Sequence, residues 1–111
     1  MLNMKKILTK ILATVPIVGT NYIKIGGIGI CWGHVTTGTN SAAIATFPIE
    51  YKNTSSIYTF VTSVYGSSLT YAAISASVQM QSTRSMYIYG RAGSSTIGAG
   101  YGINWVAIGL I

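Results

Sequence analysis

From Thr20 to the end of the chain, apolar and small polar residues alternate with a period of two, and Gly-rich breaks interrupt the alternation repeatedly. A period of two suits a half-buried strand and does not suit a helix, whose stripe repeats every 3.6 residues. The strands read at 20–25, 28–37, 42–47, 56–65, 69–79, 84–90 and 102–110. Turn residues separate them at Gly26-Gly27, Gly38-Thr39-Asn40, Lys52-Asn53, Gly66-Ser67-Ser68, Gln81-Ser82 and Gly93 to Gly100. Short strands joined by such turns predict an all-β domain over 20–111, an antiparallel β-sandwich or a barrel.

Side-chain alternation then assigns faces. In 28–37, Ile28, Ile30 and Trp32 share one face, so Trp32 is expected to anchor the core. In 102–110, Trp105, Ala107 and Gly109 share one face, with Asn104, Val106, Ile108 and Leu110 on the other. Trp105 is the second expected core anchor. Both faces of this last strand are largely apolar, so it should be central in its sheet or covered by a neighbouring subunit.

Residues 1–19 follow a different rule. Met1, Met4, Leu8, Ile11 and Val15 recur at alternating steps of three and four, the spacing of a coiled-coil seam, and Pro16 ends the run. A short N-terminal helix is expected, followed by a linker. Two heptads do not hold together alone. The helix could pack on its own domain, lie on a membrane surface, or pair between chains through Met4, Leu8, Ile11 and Val15. The basic start and apolar stretch hint at a signal peptide, but Lys10 interrupts the apolar core. No apolar run reaches the ~18 residues of a membrane span.

Charged residues make up 7% of the chain, against about 25% in an ordinary soluble domain. Hydrophobic residues make up 50%. A lone subunit of this composition would expose a large apolar surface, so an obligate oligomer is expected. Exposed polarity must come from hydroxyls and amides, since Ser and Thr number 25. The net charge of +6 is concentrated at the start, in Lys5, Lys6 and Lys10; Lys24, Lys52, Arg84 and Arg91 follow singly. That is no basic stripe, and no nucleic-acid partner is expected.

Glu50 is the sole carboxylate. Paired-carboxylate catalysis and a Ser-His-Asp triad are therefore ruled out within one chain, and a hard-cation site lacks its oxygens. Glu50 should pair with Lys52 or a neighbouring chain's lysine. Cys31 has no partner for an intrachain disulfide, and with His34 it is too little for a zinc site, so it reads as a small buried hydrophobe. The expectation is a non-enzyme without metal or cofactor. His34 reads as a partly exposed strand residue or, on a symmetry axis, as an ion ligand or pH-sensing group. Two strings invite false positives: Asn53-Thr54-Ser55 fits the glycosylation pattern but is expected to stay bare, and Gly26-Gly27-Ile28-Gly29 leads into a strand, which denies it the phosphate-cradling geometry of a dinucleotide loop.

For recognition, the candidates are aromatic and cationic. Tyr87, Tyr89 and Arg91 share one face of 84–90 and its continuation, and rings with a guanidinium suit a glycan. Packing at a subunit interface suits them too. Tyr65 and Tyr71 flank the Gly66-Ser67-Ser68 turn, where loop recognition and cross-strand packing both stay open. Arg84 is an anion-binding candidate or a solvated turn residue.

Three strings, taken in order, resemble one family. Asn21-Tyr22-Ile23-Lys24-Ile25 followed by Gly-Gly-Ile-Gly-Ile-Cys-Trp-Gly at 26–33 resembles the opening of the C-terminal, receptor-binding tip domain of bacteriophage tail fibres. Thr46-Phe47-Pro48-Ile49 resembles that family's Thr-Phe-Pro element, and Trp105-Val106-Ala107-Ile108-Gly109 resembles its closing strand. Gly26-Gly27 and Cys31 depart from the family's usual residues. The resemblance implies a homotrimeric β-sandwich on a virion appendage that contacts a bacterial cell-surface glycan or envelope protein. The chain carries no fibrous shaft, so attachment to other virion proteins through residues 1–19 is expected. A fibre cap, head fibre or capsid decoration protein is the alternative role.

Overall fold

The computed structural model describes residues 4–5, 15–38, 40–64, 74–92, 95–96 and 100–111. These hold nine strands: β1 (Ile17–Gly19), β2 (Tyr22–Ile25), β3 (Ile28–Thr36), β4 (Ala42–Thr46), β5 (Tyr58–Val64), β6 (Ile74–Met80), β7 (Ser85–Ala92), β8 (Ser95–Thr96) and β9 (Gly102–Leu110). All pairings are antiparallel. One sheet has the order β1-β2-β3-β9-β5; the other runs β4-β7-β6, with β8 beside the end of β7.

Register begins at the β2–β3 turn. Gly26 and Gly27 have φ of 54° and 86°, the two left-handed residues of a type I′ hairpin, which glycine adopts without steric penalty. Ile25 therefore faces Ile28, and Ile23 faces Ile30. β3 and β9 pair along their full length, from Ile28↔Leu110 to Thr36↔Gly102. This places Cys31 beside Ala107 and Gly33 beside Trp105 on the inner face.

The sheets share one core. The first contributes Cys31, Ile103, Trp105 and Ala107; the second contributes Ala45, Met86 and Ile88. Phe47, Ile49 and Tyr51, in the segment after β4, complete it. That segment is bonded to both sheets: Phe47 N donates to Arg84 O (2.7 Å), and Lys52 N to Leu110 O (2.7 Å). β9 lies between β3 and β5, central as its two apolar faces require. A 3-10 turn at Thr54–Ser56 leads into β5, capped by the Asn53 carboxamide accepting from Ser56 N.

Several expectations need correction. Trp32 does not anchor the protomer's core: its face of β3 points away from the second sheet, and its side chain is 37% exposed. The inner face of β3 is Gly29, Cys31, Gly33 and Val35 instead, because the Trp105 and Tyr51 rings cross it and leave room only for small residues. A methyl group at Gly33 would stand 2.7 Å from the Trp105 ring. The β-structure begins at Ile17 rather than Thr20, since Thr20 and Asn21 form a turn in which Asn21 is left-handed, φ 62°. Ser95 and Thr96, read as loop, pair with Ala92 and Arg91. Among the described residues Glu50 pairs with Arg84, Nε to Oε2 2.6 Å, and not with Lys52. The β6–β7 turn brings the two together.

Of the expected N-terminal helix, Met4 and Lys5 are helical and Met4 is exposed; Val15 is exposed and non-helical. Leu8 and Ile11 lie outside the described residues.

Candidate functional site

The two outer faces of the sandwich differ in chemistry. On the five-stranded sheet, register sets Trp32, Val106 and Phe60 in one row across β3, β9 and β5. The next row holds Val18, Ile23, Ile30, Ile108 and Tyr58, and Ile25, Ile28 and Leu110 form a third. Tyr58 is 70% exposed and Phe60 66%. Toward the far end the face turns polar, with His34 Nδ1 2.7 Å from Asn104 Oδ1 and Thr62 beside Asn104. None of the side chains in the three apolar rows is charged.

The outer face of the second sheet is built around β7. Met86, Ile88 and Gly90 point inward, which forces Tyr87, Tyr89 and Arg91 outward. Ile44 and Ala42 of β4 flank the tyrosines on one side, Gln79 and Ser77 of β6 on the other. The two tyrosine rings are 6.1 Å apart and inclined by 30°. Both hydroxyls are tied: Tyr89 donates to Gln79 Oε1 (3.1 Å), and Tyr87 accepts from Gln81 Nε2 (3.1 Å). The rings are thereby fixed as a half-buried platform with polar tips.

The structure brings together only part of the predicted set. Tyr87, Tyr89 and Arg91 share this face. Arg84 sits at the β6–β7 turn, engaged with Glu50, and seven residues of strand put it about 23 Å from Arg91. Tyr65 and Tyr71 lie outside the described residues.

A cleft opens where the sheets differ in width. β3 packs on β4, so the β1–β2 hairpin extends past the edge of the second sheet. Asn21, Ile44, Thr46, Phe47, Pro48 and Trp105 are among the residues lining about 590 Å³ there. Trp105 is 5% exposed, and its Nε1–H has no hydrogen-bond acceptor among the described residues. A second cleft of about 550 Å³ shares Val35 and Ile44 with the first and reaches Tyr87. The sequence offers no direct signal for this cleft. The exposed Tyr58–Phe60 edge, however, is visible as two aromatics on one face of β5.

Under the five-stranded sheet, burial alters two ionisable groups. Tyr51 Oη donates to Ala107 O (2.9 Å), with Gly29 O (3.2 Å) nearby, and meets Cys31 Sγ at 3.2 Å. Desolvation first, then the contact with Cys31, holds the Tyr51 phenol far above its ordinary range. Burial likewise pushes the Cys31 thiol up, partly offset by its bond to Tyr51. This constellation is structural: both groups stay neutral and locked between β3 and β9.

Two antiparallel sheets around one core, with one apolar outer face and one aromatic-polar outer face, make an all-β sandwich. The family pattern described as "Putative tail fiber protein gp53-like, C-terminal" matches residues 22–110, and the chain belongs to that family. A domain of this kind is part of a surface appendage of a phage-type particle. Among solved structures, an N-truncated R1-type pyocin tail fibre is similar over 98% of each chain, with TM-score 0.56 and 20% identity. The R1 pyocin fibre of P. aeruginosa, residues 323-701, gives TM-score 0.58 and 19% identity over 98% of this chain and 32% of its own. An N-truncated R2-type pyocin tail fibre gives TM-score 0.55 and 20% identity. The present chain spans 43% of that fibre's length, and 96% of it is covered. At such identities the likeness establishes the fold. No match is found among the curated proteins.

Proposed function

We propose that this chain is a fibre-tip protein that assembles as a homotrimer and binds a bacterial surface receptor, a glycan, without catalysis. The observation that carries the reading is the division between the two outer faces. The face bearing Trp32, Phe60, Val106 and Tyr58 has the apolar character of a subunit interface. The face bearing Tyr87, Tyr89 and Arg91 presents half-buried rings and an exposed cationic residue toward solvent, which suits an external ligand. Burying each large side chain of the first face between subunits contributes about 1.5–3 kcal/mol. Three copies of a weak glycan site then gain by multivalency. Residues 1–19 would join the trimer to other virion proteins.

Adsorption of the purified protein to host cells tests this reading. Binding to intact cells, lost after periodate oxidation of the cell surface, is expected. Binding to neither cells nor any host surface polysaccharide would favour the structural alternative of a fibre cap, head fibre or capsid decoration protein.

A further inference from the structure

We propose that the open edge of β4 takes an extended strand from a second copy of this chain, bonded to the main-chain groups of Ile44 and Thr46. The inference rests on the homotrimer reading and adds a main-chain contact beside the apolar face.

Register decides which groups are available. Phe47 N donates to Arg84 O and Gly90 N to Ser41 O, so Ser41 and Phe47 bond toward β7. Main-chain groups alternate sides along a strand. Those of Ala43 and Ala45 therefore face β7, and those of Ala42, Ile44 and Thr46 face away from it. Ala42 is served locally: its N–H donates to Asn40 Oδ1 (3.3 Å), and its O accepts from Gly38 N (2.8 Å). The main-chain groups of Ile44 and Thr46 have no hydrogen-bond partner among the described residues. β4 ends its sheet, and both residues are exposed. Two donors and two acceptors thus stand in line at the two-residue spacing that a pairing strand needs.

Room and chemistry select the occupant. The clefts of about 590 and 550 Å³ both lie along this edge and share Ile44. Neither lining holds Lys, Arg, Asp or Glu, and the imidazole of His34 is bonded to Asn104. A charged side chain would therefore enter without a counter-charge. Natural sheets guard their edges with charges or proline. β1, β5, β4 and β6, the end strands of the two sheets, contain neither. A second copy thus offers uncharged extended strands that match the uncharged cleft. Trp32 lines the first cleft and also stands in the row with Val106 and Phe60. The open edge is therefore continuous with the face assigned to subunit contact, and a subunit packed on that face is placed to reach β4.

Amide hydrogen exchange of the intact, 15N-labelled protein tests this. In the trimer, the Ile44 and Thr46 amides are expected to exchange about a hundredfold or more slowly than in unstructured chain, although no described residue of their own subunit bonds them. Thr46→Pro removes one of these N–H groups and leaves the β4–β7 ladder its donors, so it should weaken trimer assembly about tenfold or more. Thr46→Ala keeps the N–H and should assemble as the unmodified chain does. A trimer in which both amides exchange freely would overturn the strand pairing and leave the homotrimer standing. So would a folded Thr46→Pro protein that assembles as tightly as the unmodified chain. Protection that persists in a folded, dissociated subunit would put the partner within one chain and overturn the proposal. Protection found only in the assembled particle would make another virion protein the occupant and overturn it too. A folded monomer at every concentration would remove the homotrimer reading itself, and the strand pairing with it.

Discussion

At the residue scale, Tyr51 shows how a single hydroxyl ties the segment after β4 to the two central strands. It lies 2.9 Å from Ala107 O, 3.2 Å from Gly29 O and 3.2 Å from Cys31 Sγ, so it can donate to a carbonyl while the thiol shares its oxygen. Tyr51→Phe leaves the thiol and a buried carbonyl without that partner, so a loss of about 1–3 kcal/mol is expected from chemical denaturation. The pH dependence follows from the same contacts. Both groups are neutral acids whose folded pKa is raised, so the unfolded chain releases their protons first. Stability should be level below about pH 9, fall once unfolded Cys31 ionises near its ordinary 9.0, and fall more steeply above 10.0, where unfolded Tyr51 follows. Denaturation midpoints between pH 7 and 11 would show this, and in Tyr51→Phe the steeper part should shrink. Glu50 and Arg84, both more than half exposed, should matter little: Glu50→Gln is expected to change stability by less than about 1 kcal/mol.

At the element scale, the β3–β9 pair depends on missing side chains. Tyr51 Cδ1 and Ser56 O would each stand 2.9 Å from a methyl group at Gly109, and Trp105 crosses Gly33. Gly33→Ala should therefore destabilise by about 1–3 kcal/mol through overpacking, seen as a lower midpoint at fixed protein concentration. These glycines also explain what could be read from the sequence. The Gly26-Gly27 hairpin was legible, because adjacent glycines between β-branched runs suit one turn type. β3, β5 and β9 were legible to within two residues by their period. The inner face of β3 was not: Ile28, Ile30 and Trp32 outweigh Gly29, Cys31 and Gly33 in hydrophobicity, yet the small residues face the core because bulky partners on β9 and beyond need the space. The β1–β2 hairpin escaped notice because Asn21 supplies the left-handed residue without a glycine. Tyr87, Tyr89 and Arg91 could be placed on one face by alternation alone. Whether a hydroxyl is already bonded depends on how neighbouring side chains from and just beyond β6, such as Gln79 and Gln81, are turned, and stayed beyond reach.

At the scale of the whole molecule, low charge and sheet topology converge. With 7% charged residues, the chain cannot shield both outer faces with ions, and the face that lacks them joins Trp32, Val106 and Phe60 into a continuous apolar row. Phe60 is largely exposed in the protomer, so Phe60→Asp should leave the fold of one subunit intact. It should nevertheless disrupt assembly, because three aspartates would be buried without partners. Light scattering coupled to size exclusion would report this as a drop in mass with unchanged far-ultraviolet dichroism. The same measurement on the unmodified chain bears most directly on the homotrimer. A mass of about 35 kDa, three times the 11.7 kDa subunit, is expected at micromolar concentration and below. A monodisperse, folded species of 11.7 kDa would contradict it.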